Sequence, residues 1–480
     1  MEHPRIIQGG MGVGVSDWRL ARAVALEGEM GVVSGTALDI LLTRRLQQGD
    51  PGGHMRRGLA AFPDQEVAQR ILARYYREEG TPDFHRFENP PMITVEPSRE
   101  VEELLVAANF VEVYLAKEGH SGAVGVNFLE KIQLPNPAAI YGVMLAGVDY
   151  VLMGAGIPLE IPGLLDAYAR GEAGSITLAL EGAEKGETLL RHFDPARVLS
   201  SPPAQLKRPA FLSIVSSNVL AQTMVSRASG KVDGIIVEDH TAGGHNAPPR
   251  GPLHLTDQGE PVYGPKDQVD TLRMTKMDVP FWMAGSCSDE NSLERSEKAG
   301  AWGIQVGTLF AFCRESGFLP ELKKKFLQAV EAGKMRVFTH PGASPTGYPI
   351  KMALMEGTIA EEALFAQRKR VCNLGLLRHL YKKEDGVIGY RCPAESPELF
   401  IRKGGDPETP QDARCLCNAL MAAVGAAMEY AGGYLEKPLL VPGEYLDSLR
   451  VLIRKIGLDY TAADVIRFLD SSRGEETCSS

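Results

Sequence analysis

The run Val237-Glu238-Asp239-His240-Thr241-Ala242-Gly243-Gly244-His245 closes an apolar stretch, Gly234-Ile235-Ile236-Val237, with two glycines and a histidine. A buried strand that stops this way delivers an imidazole to the mouth of a sheet or barrel. Gly243 and Gly244 leave room for a large, flat molecule against the backbone. His245 can then exchange protons with whatever binds. An isolated histidine more often caps a helix or satisfies a carbonyl, but its place after paired glycines at a strand end favours an active site. Nearby, His240 reads either as a second polar group of the pocket or as structural, and Glu238 and Asp239 as solvated or as orienting an imidazole. His120, before Ser121-Gly122, reads as a loop residue.

Further glycine-bearing strand ends accompany it. Gln8-Gly9-Gly10-Met11-Gly12-Val13-Gly14 precedes a helix with Ser16 as its expected N-cap. Its glycines do not space as Gly-x-Gly-x-x-Gly with an acidic partner, so it is no dinucleotide fingerprint. Gly125-Val126-Asn127-Phe128 ends an apolar strand in a carboxamide able to hydrogen-bond a heterocycle, or equally to form a turn. Gly285-Ser286 and Gly307-Thr308 follow two apolar strands, where a barrel often holds a phosphate on backbone N–H groups.

Short β-rich runs separated by helical stretches must position these residues. Eight are readable: Arg5–Gln8, Gly31–Ser34, Ala123–Phe128, Tyr150–Met153, Ala210–Val215, Gly234–Glu238, Pro280–Ala284 and Gly303–Val306. Most are continuously apolar, as strands covered on both faces are. The pattern predicts a TIM (β/α)8 barrel over residues 1–333, with an open doubly wound sheet as competitor. Residues 37–99 read as an insertion able to form a lid, and 174–205 as a hairpin insertion with strands Ile176–Leu180 and Thr188–Phe193. A mainly helical region is expected over 334–470, with Cys415–Met428 as a buried helix and Ser344–Lys351 as an extended loop that packs across the barrel mouth. A disordered tail is expected over 471–480.

With 44% hydrophobic and 23% charged residues, the 480-residue chain has the composition of a soluble globular protein. A net charge of −10 argues against a general nucleic-acid or anionic-membrane surface and points to small-molecule partners. No signal segment or membrane-spanning run is readable, and seven cysteines suit a reducing cytoplasm. Cys372, Cys392, Cys415 and Cys417 are soft ligands able in principle to close a zinc or iron–sulfur site. Their irregular spacing lacks Cys-x-x-Cys knuckles, so buried unligated thiols and no metal are the expectation.

Taken together, Ile7-Gln8-Gly9-Gly10-Met11-Gly12, Gly125-Val126-Asn127-Phe128, Ala242-Gly243-Gly244-His245 and the run from Gly300 to Phe310 resemble the FMN-dependent nitronate monooxygenases, formerly 2-nitropropane dioxygenases, in family order over about residues 5–315. The resemblance implies a TIM barrel with non-covalent FMN at the C-terminal face of its strands, oxidising alkyl nitronates with O2. It also implies that Gly9, Gly10 and Met11 line the flavin ring beside Gly243 and Gly244, and that Asn127 contacts the flavin. Gly285, Ser286, Gly307 and Thr308 would hold the phosphate, and His245 would be the active-site acid or base. Departures are Gly285-Ser286, where many members have Gly-Gly, and the run Asn246–Gly251 after the histidine. The same barrel resembles NAD(P)H-dependent flavin enoyl-acyl-carrier-protein reductases and quinone reductases, which stand as alternatives. So does a barrel kept only as a binding or scaffold protein. A homo-oligomer is left open.

Overall fold

The computed structural model describes residues 3–81, 86–430 and 432–470. All eight expected strands form, and they pair in parallel. They are β1 (Ile6–Gln8), β2 (Gly31–Ser34), β3 (Val124–Leu129), β4 (Tyr150–Gly154), β5 (Ala210–Val215), β6 (Gly234–Glu238), β7 (Phe281–Ala284) and β8 (Gly303–Val306). The sheet order is β1-β8-β7-β6-β5-β4-β3-β2. Its ends meet through a parallel bridge between Ile7 and Met30, with the Gln8 N–H donating to Met30 O at 3.0 Å and the Met30 N–H to Ile6 O at 3.1 Å. Each strand therefore has two neighbours, which makes the sheet a barrel and excludes the open doubly wound alternative. Inside it pack Ile7, Met30, Val32, Leu152, Leu212, Ile236 and Trp282, all fully buried.

The first insertion departs from expectation, whereas the second forms the expected hairpin. Helices Leu38–Gln47, His54–Ala60 and Gln65–Tyr75 do form after β2, but they pack on helix Arg99–Lys117 outside the barrel. The Gln65–Tyr75 helix buries Val67, Ala68, Ile71 and Tyr75, and that apolar stripe commits it to the outer layer. No described residue of 37–99 lines the central cavity, so this insertion is not its lid. The hairpin between β4 and β5 pairs Gly174–Leu178 with Leu189–Phe193. Its turn carries a further short strand, Leu180–Glu181, which adds in parallel to His379–Lys382 of the carboxy-terminal region.

Buried Arg191 of that hairpin meets Glu102 of the long helix at 2.7 Å. Removing one partner leaves a buried charge uncompensated, which costs about 3–5 kcal/mol. Arg191→Met is thus expected to lower the urea midpoint strongly, and Glu102→Leu/Arg191→Met to recover much of the loss.

The carboxy-terminal region has more helix than strand and adds three antiparallel pairs, among them β9 (Val337–His340) with β10 (Ile350–Ala353). Its expected buried helix is shorter than read, Leu416–Ala423, because Gly425 turns the chain at φ +76°. The region shares a core with the barrel: Leu440, Leu449 and Leu452 are buried in one cluster with Ile6, Ile304 and Phe310. The expected disordered tail, 471–480, lies outside the described residues. No helix among the described residues is long and apolar enough to cross a membrane.

Candidate active site at the barrel mouth

A cavity of about 260 Å³ opens at the C-terminal ends of the strands. Gly9, Gly10, Met11, Asn127, Gly243, Gly244, His245, Gly285, Ser286, Gly307 and Thr308 all line it, so the fold gathers every site residue expected from the sequence.

At the end of β1, a Cβ on Gly10 would stand 2.3 Å from the Asn127 Cβ, so only glycine lets the first strand approach the third here. Asn127 Nδ2 donates to Gly10 O at 3.3 Å, whereas its Oδ1 is buried without a partner. Gln305 Oε1, on β8, is likewise buried and unpartnered at the same cavity. Two orphaned acceptors on residues that line one cavity ask for hydrogen-bond donors. Ser16 does not cap the first helix. Its hydroxyl accepts from the Met11 N–H at 2.7 Å and so fixes the glycine turn, while Asp17 takes the N-cap and accepts from the Arg19 and Leu20 N–H groups.

After β6, His245 is held from the carboxy-terminal side. Its Nε2 bonds Ser344 Oγ at 2.7 Å, and Ser344 Oγ bonds Thr346 Oγ1 at 2.7 Å. His245 forms a bridge with Ile350, Lys351 N–H donates to Gly244 O and Asn246 N–H to Pro349 O. The run 344–351 thus does pack across the mouth. Gly243 is bare for a reason other than ligand space: a Cβ there would come within 2.7 Å of Val441 O and 2.8 Å of Gly443 N. The chain itself fills the room at Gly243, whereas a Cβ at Gly244, where φ is +76°, would meet nothing within 4 Å.

Each of the two remaining loops is tied to a neighbouring segment. Ser286 Oγ bonds Thr241 Oγ1, and Thr308 Oγ1 accepts from the Gly443 N–H at 2.8 Å. Gly285 adopts φ +80°, and Ser286 sits at φ +53°, a strained value for a residue with a side chain.

Electrostatically the site is split. His245 lines the cavity, and burial pushes its pKa down to about 4, so it is neutral at pH 7. Glu238, also lining the cavity, is pushed up to about 7 by burial and by neighbouring Asp239. Asp239 itself drops to about 2: burial opposes ionisation, but hydrogen bonds from His240 and Thr241 outweigh it. His240 stacks on Tyr263 with ring centroids 4.0 Å apart and does not line the cavity. His120 lies at the opposite end of the barrel, before β3, with Nε2 against Ala116 O at 2.7 Å.

These shifts carry a pH signature. The His245 pKa is depressed below 6.5, so its contribution to stability is full above pH 6.5 and is lost as pH falls toward 4. The Glu238 pKa is raised, so its contribution is full below about 4.5 and lost as pH rises through about 7. Between these limits they oppose each other. His245→Gln is expected to gain stability relative to the parent as pH drops from 7 to 5, and Glu238→Gln to lose it. Urea titrations at the two pH values check this, and parallel curves for parent and variants contradict it.

Several lining residues were missed by sequence reasoning. Gln305 carried a readable signal, a lone carboxamide in the apolar run Gly303-Ile304-Gln305-Val306. Leu376, Leu377, Cys417, Val441 and Tyr445 carried none, since nothing local says that a distant region returns to the mouth.

No family model matches the chain. It is 28% identical over 128 residues to a probable nitronate monooxygenase of Bacillus subtilis, covering 27% of this chain and 35% of the relative. A probable nitronate monooxygenase of Staphylococcus haemolyticus is 26% identical over 144 residues, 30% of this chain and 39% of the relative. Among solved structures, FabK from Thermotoga maritima overlays at TM-score 0.46 with 16% identity, covering 100% of this chain and 94% of its own. A nitroalkane oxidase from Streptomyces ansochromogenes overlays at 0.41 with 15% identity, covering 99% and 98%. These overlays are too loose to bear on what the chain binds. The similarity in sequence spans little more than a third of each curated relative's length, and both of those relatives are named as probable nitronate monooxygenases.

Proposed function

We propose that the chain is an FMN-dependent oxidoreductase of the nitronate monooxygenase kind, working on a small anionic nitronate and O2 in the cytoplasm. The observation that carries the reading is the convergence of the glycine turns, the orphaned Asn127 and Gln305 oxygens and His245 on one cavity at the C-terminal face of a barrel. The residues fit the cofactor. The two carboxamide oxygens would accept from the oxidised ring's single N–H and from a ribityl hydroxyl, Gly9, Gly10 and Met11 would lie along the ring, and the loops at Gly285-Ser286 and Gly307-Thr308 would take the phosphate. Bound FMN would supply electron acceptance from an anionic carbon and delivery to O2.

The chain's own groups do the rest. Neutral His245 can accept a proton from a nitroalkane carbon, and a bound nitronate's negative charge would favour its imidazolium form, pulling its depressed pKa back up. Ser344 fixes the ring by holding Nε2. Lys131, lining the same cavity, gives an anionic substrate a cationic group to approach. The carboxy-terminal wall, Leu376, Leu377, Leu420 and Val441, is apolar and shields the cavity from water.

The test is anaerobic stopped-flow reduction of the yellow, FMN-containing protein with ethyl nitronate, NADH and NADPH in parallel. Rapid bleaching by the nitronate and reoxidation by O2 support the proposal. Bleaching by a nicotinamide alone transfers the chain to the enoyl or quinone reductases, and a colourless protein that takes up no FMN leaves it a binding protein.

A further inference from the structure

Beside the main cavity lies a second, small one of about 10 Å³, and Cys372, Cys392, Cys415 and Cys417 all line it. Leu376, Leu377, Leu416 and Cys417 line both, so the two spaces share a wall. The thiols come from separate places: a loop after helix Glu362–Gln367, the residue after strand Ile388–Arg391, and the N-cap and first turn of helix Leu416–Ala423.

The Cys372 contact holds Cys392, and burial holds Cys415 and Cys417, toward the neutral thiol, whereas polar groups beside the sulfurs favour the anion. Backbone N–H groups approach the sulfurs, Gly375 at Cys372, Leu376 and Leu377 at Cys417, and Asn418 at Cys415. Asn418 Nδ2 donates to Cys415 Sγ as well, at 3.4 Å. Such donors stabilise anionic sulfur and tune metal-bound thiolates. Arg370 and Arg378 also point their charge here. Arg370 acts on Cys392 and Cys415, and Arg378 on Cys372 and Cys392.

Neither arginine pairs with a carboxylate among the described residues. Arg370 donates to the carbonyls of Pro393, Pro410 and Ala413, and Arg378 to those of Gly375 and Ile93. By contrast the neighbouring Arg368 is neutralised by Glu436, and Arg414 meets Glu362. Two half-buried cations with no carboxylate in ion-pair contact are stabilised if something anionic sits beside them. Four thiolates around Zn2+, or around an iron–sulfur core of the same charge, leave two negative charges, which these guanidiniums would balance.

We propose that Cys372, Cys392, Cys415 and Cys417 bind one soft-metal centre through four thiolates, a zinc ion or an iron–sulfur cluster, in the wall of the main cavity. As the side chains stand, no three His, Cys, Asp or Glu groups among the described residues converge tightly enough for a single ion. Loading therefore turns the thiols, inward onto zinc or outward around a cluster. The irregular spacing that argued against a metal is offset by what the fold supplies: the amide donors and the two carboxylate-free guanidiniums. The proposal stands independently of the flavin reading.

The full chain, purified without chelators or a metal-affinity tag under anaerobic conditions, is analysed for zinc, iron and acid-labile sulfide. About one zinc per chain, or iron with matching sulfide and a broad absorbance left after flavin is removed, is expected. Cys415→Ser and Cys392→Ala should each lose at least nine-tenths of that metal, whereas Cys287→Ala, outside the cluster, should keep it. Should the variants not fold, the parent decides alone, by its metal content and by whether metal-stripped parent takes up zinc, or iron with sulfide. A parent that holds and takes up neither, with free thiols or a Cys372–Cys392 disulfide on mass analysis, overturns the proposal.

Discussion

Gly307→Asp is expected to leave the fold intact and to abolish FMN binding, with flavin content falling below about a tenth of the parent's. Gly307 is suited to the experiment because its φ of −105° suits any L residue. A Cβ there would meet only Met11, at 3.6 Å from Sδ and 3.9 Å from Cγ, so a side chain finds space. The new carboxylate would enter a site of backbone donors proposed to hold a phosphate dianion, where repulsion is poorly screened. Gly307→Ala fills the same first atom without charge and should keep most of the flavin. Flavin released on denaturation, measured beside the thermal midpoint of the flavin-free protein, checks both. Undiminished FMN in Gly307→Asp would remove this loop from the binding site. Gly10→Ala makes a useful contrast, since its Cβ would collide with Asn127 and should cost stability as well as flavin.

The barrel was legible in the sequence because its strands are continuous apolar runs with glycine or polar stops, and a parallel sheet covered on both faces demands that pattern. The positions of Asn127 and His245 followed from it, since strand ends of a barrel share one face. What the pattern could not supply was long-range return of the chain. Residues 37–99 have the charge and proline content of a lid, yet the apolar stripe Val67, Ala68, Ile71 and Tyr75 packs them on the outer helices. The cover comes instead from beyond residue 340, through the backbone bonds of Gly244 and Asn246 to the run 349–351. Gly243 shows the same limit at one atom. Its missing side chain is a local fact, but whether a ligand or Val441 uses the space depends on a segment two hundred residues away. The thiols were judged on spacing, and spacing is blind to Arg370 and Arg378, which folding alone brings beside them.

His245→Ala should keep its flavin and lose turnover. The residue lines the cavity, but its ring nitrogen is engaged by Ser344 Oγ, and it lies on a different loop from the proposed phosphate-holding glycines. Removing a positioned acid or base lowers rate typically about 10²–10⁴-fold. The size of the loss should depend on the substrate's proton. With a neutral nitroalkane, a base must take the carbon proton, and the full loss is expected. With a preformed nitronate no such proton moves, and only the favourable charge interaction with an imidazolium disappears, so the penalty should be smaller and fall mainly on KM. Ser344→Ala separates position from chemistry: it leaves the imidazole but frees Nε2, and should lower kcat less than His245→Ala on the nitroalkane while leaving flavin content unchanged. The decisive comparison is therefore kcat and KM on both substrates for parent, Ser344→Ala and His245→Ala. An equal loss of flavin and activity in His245→Ala would make the histidine a structural clamp between the barrel mouth and the run 344–351. Full activity on both substrates would take it out of the chemistry.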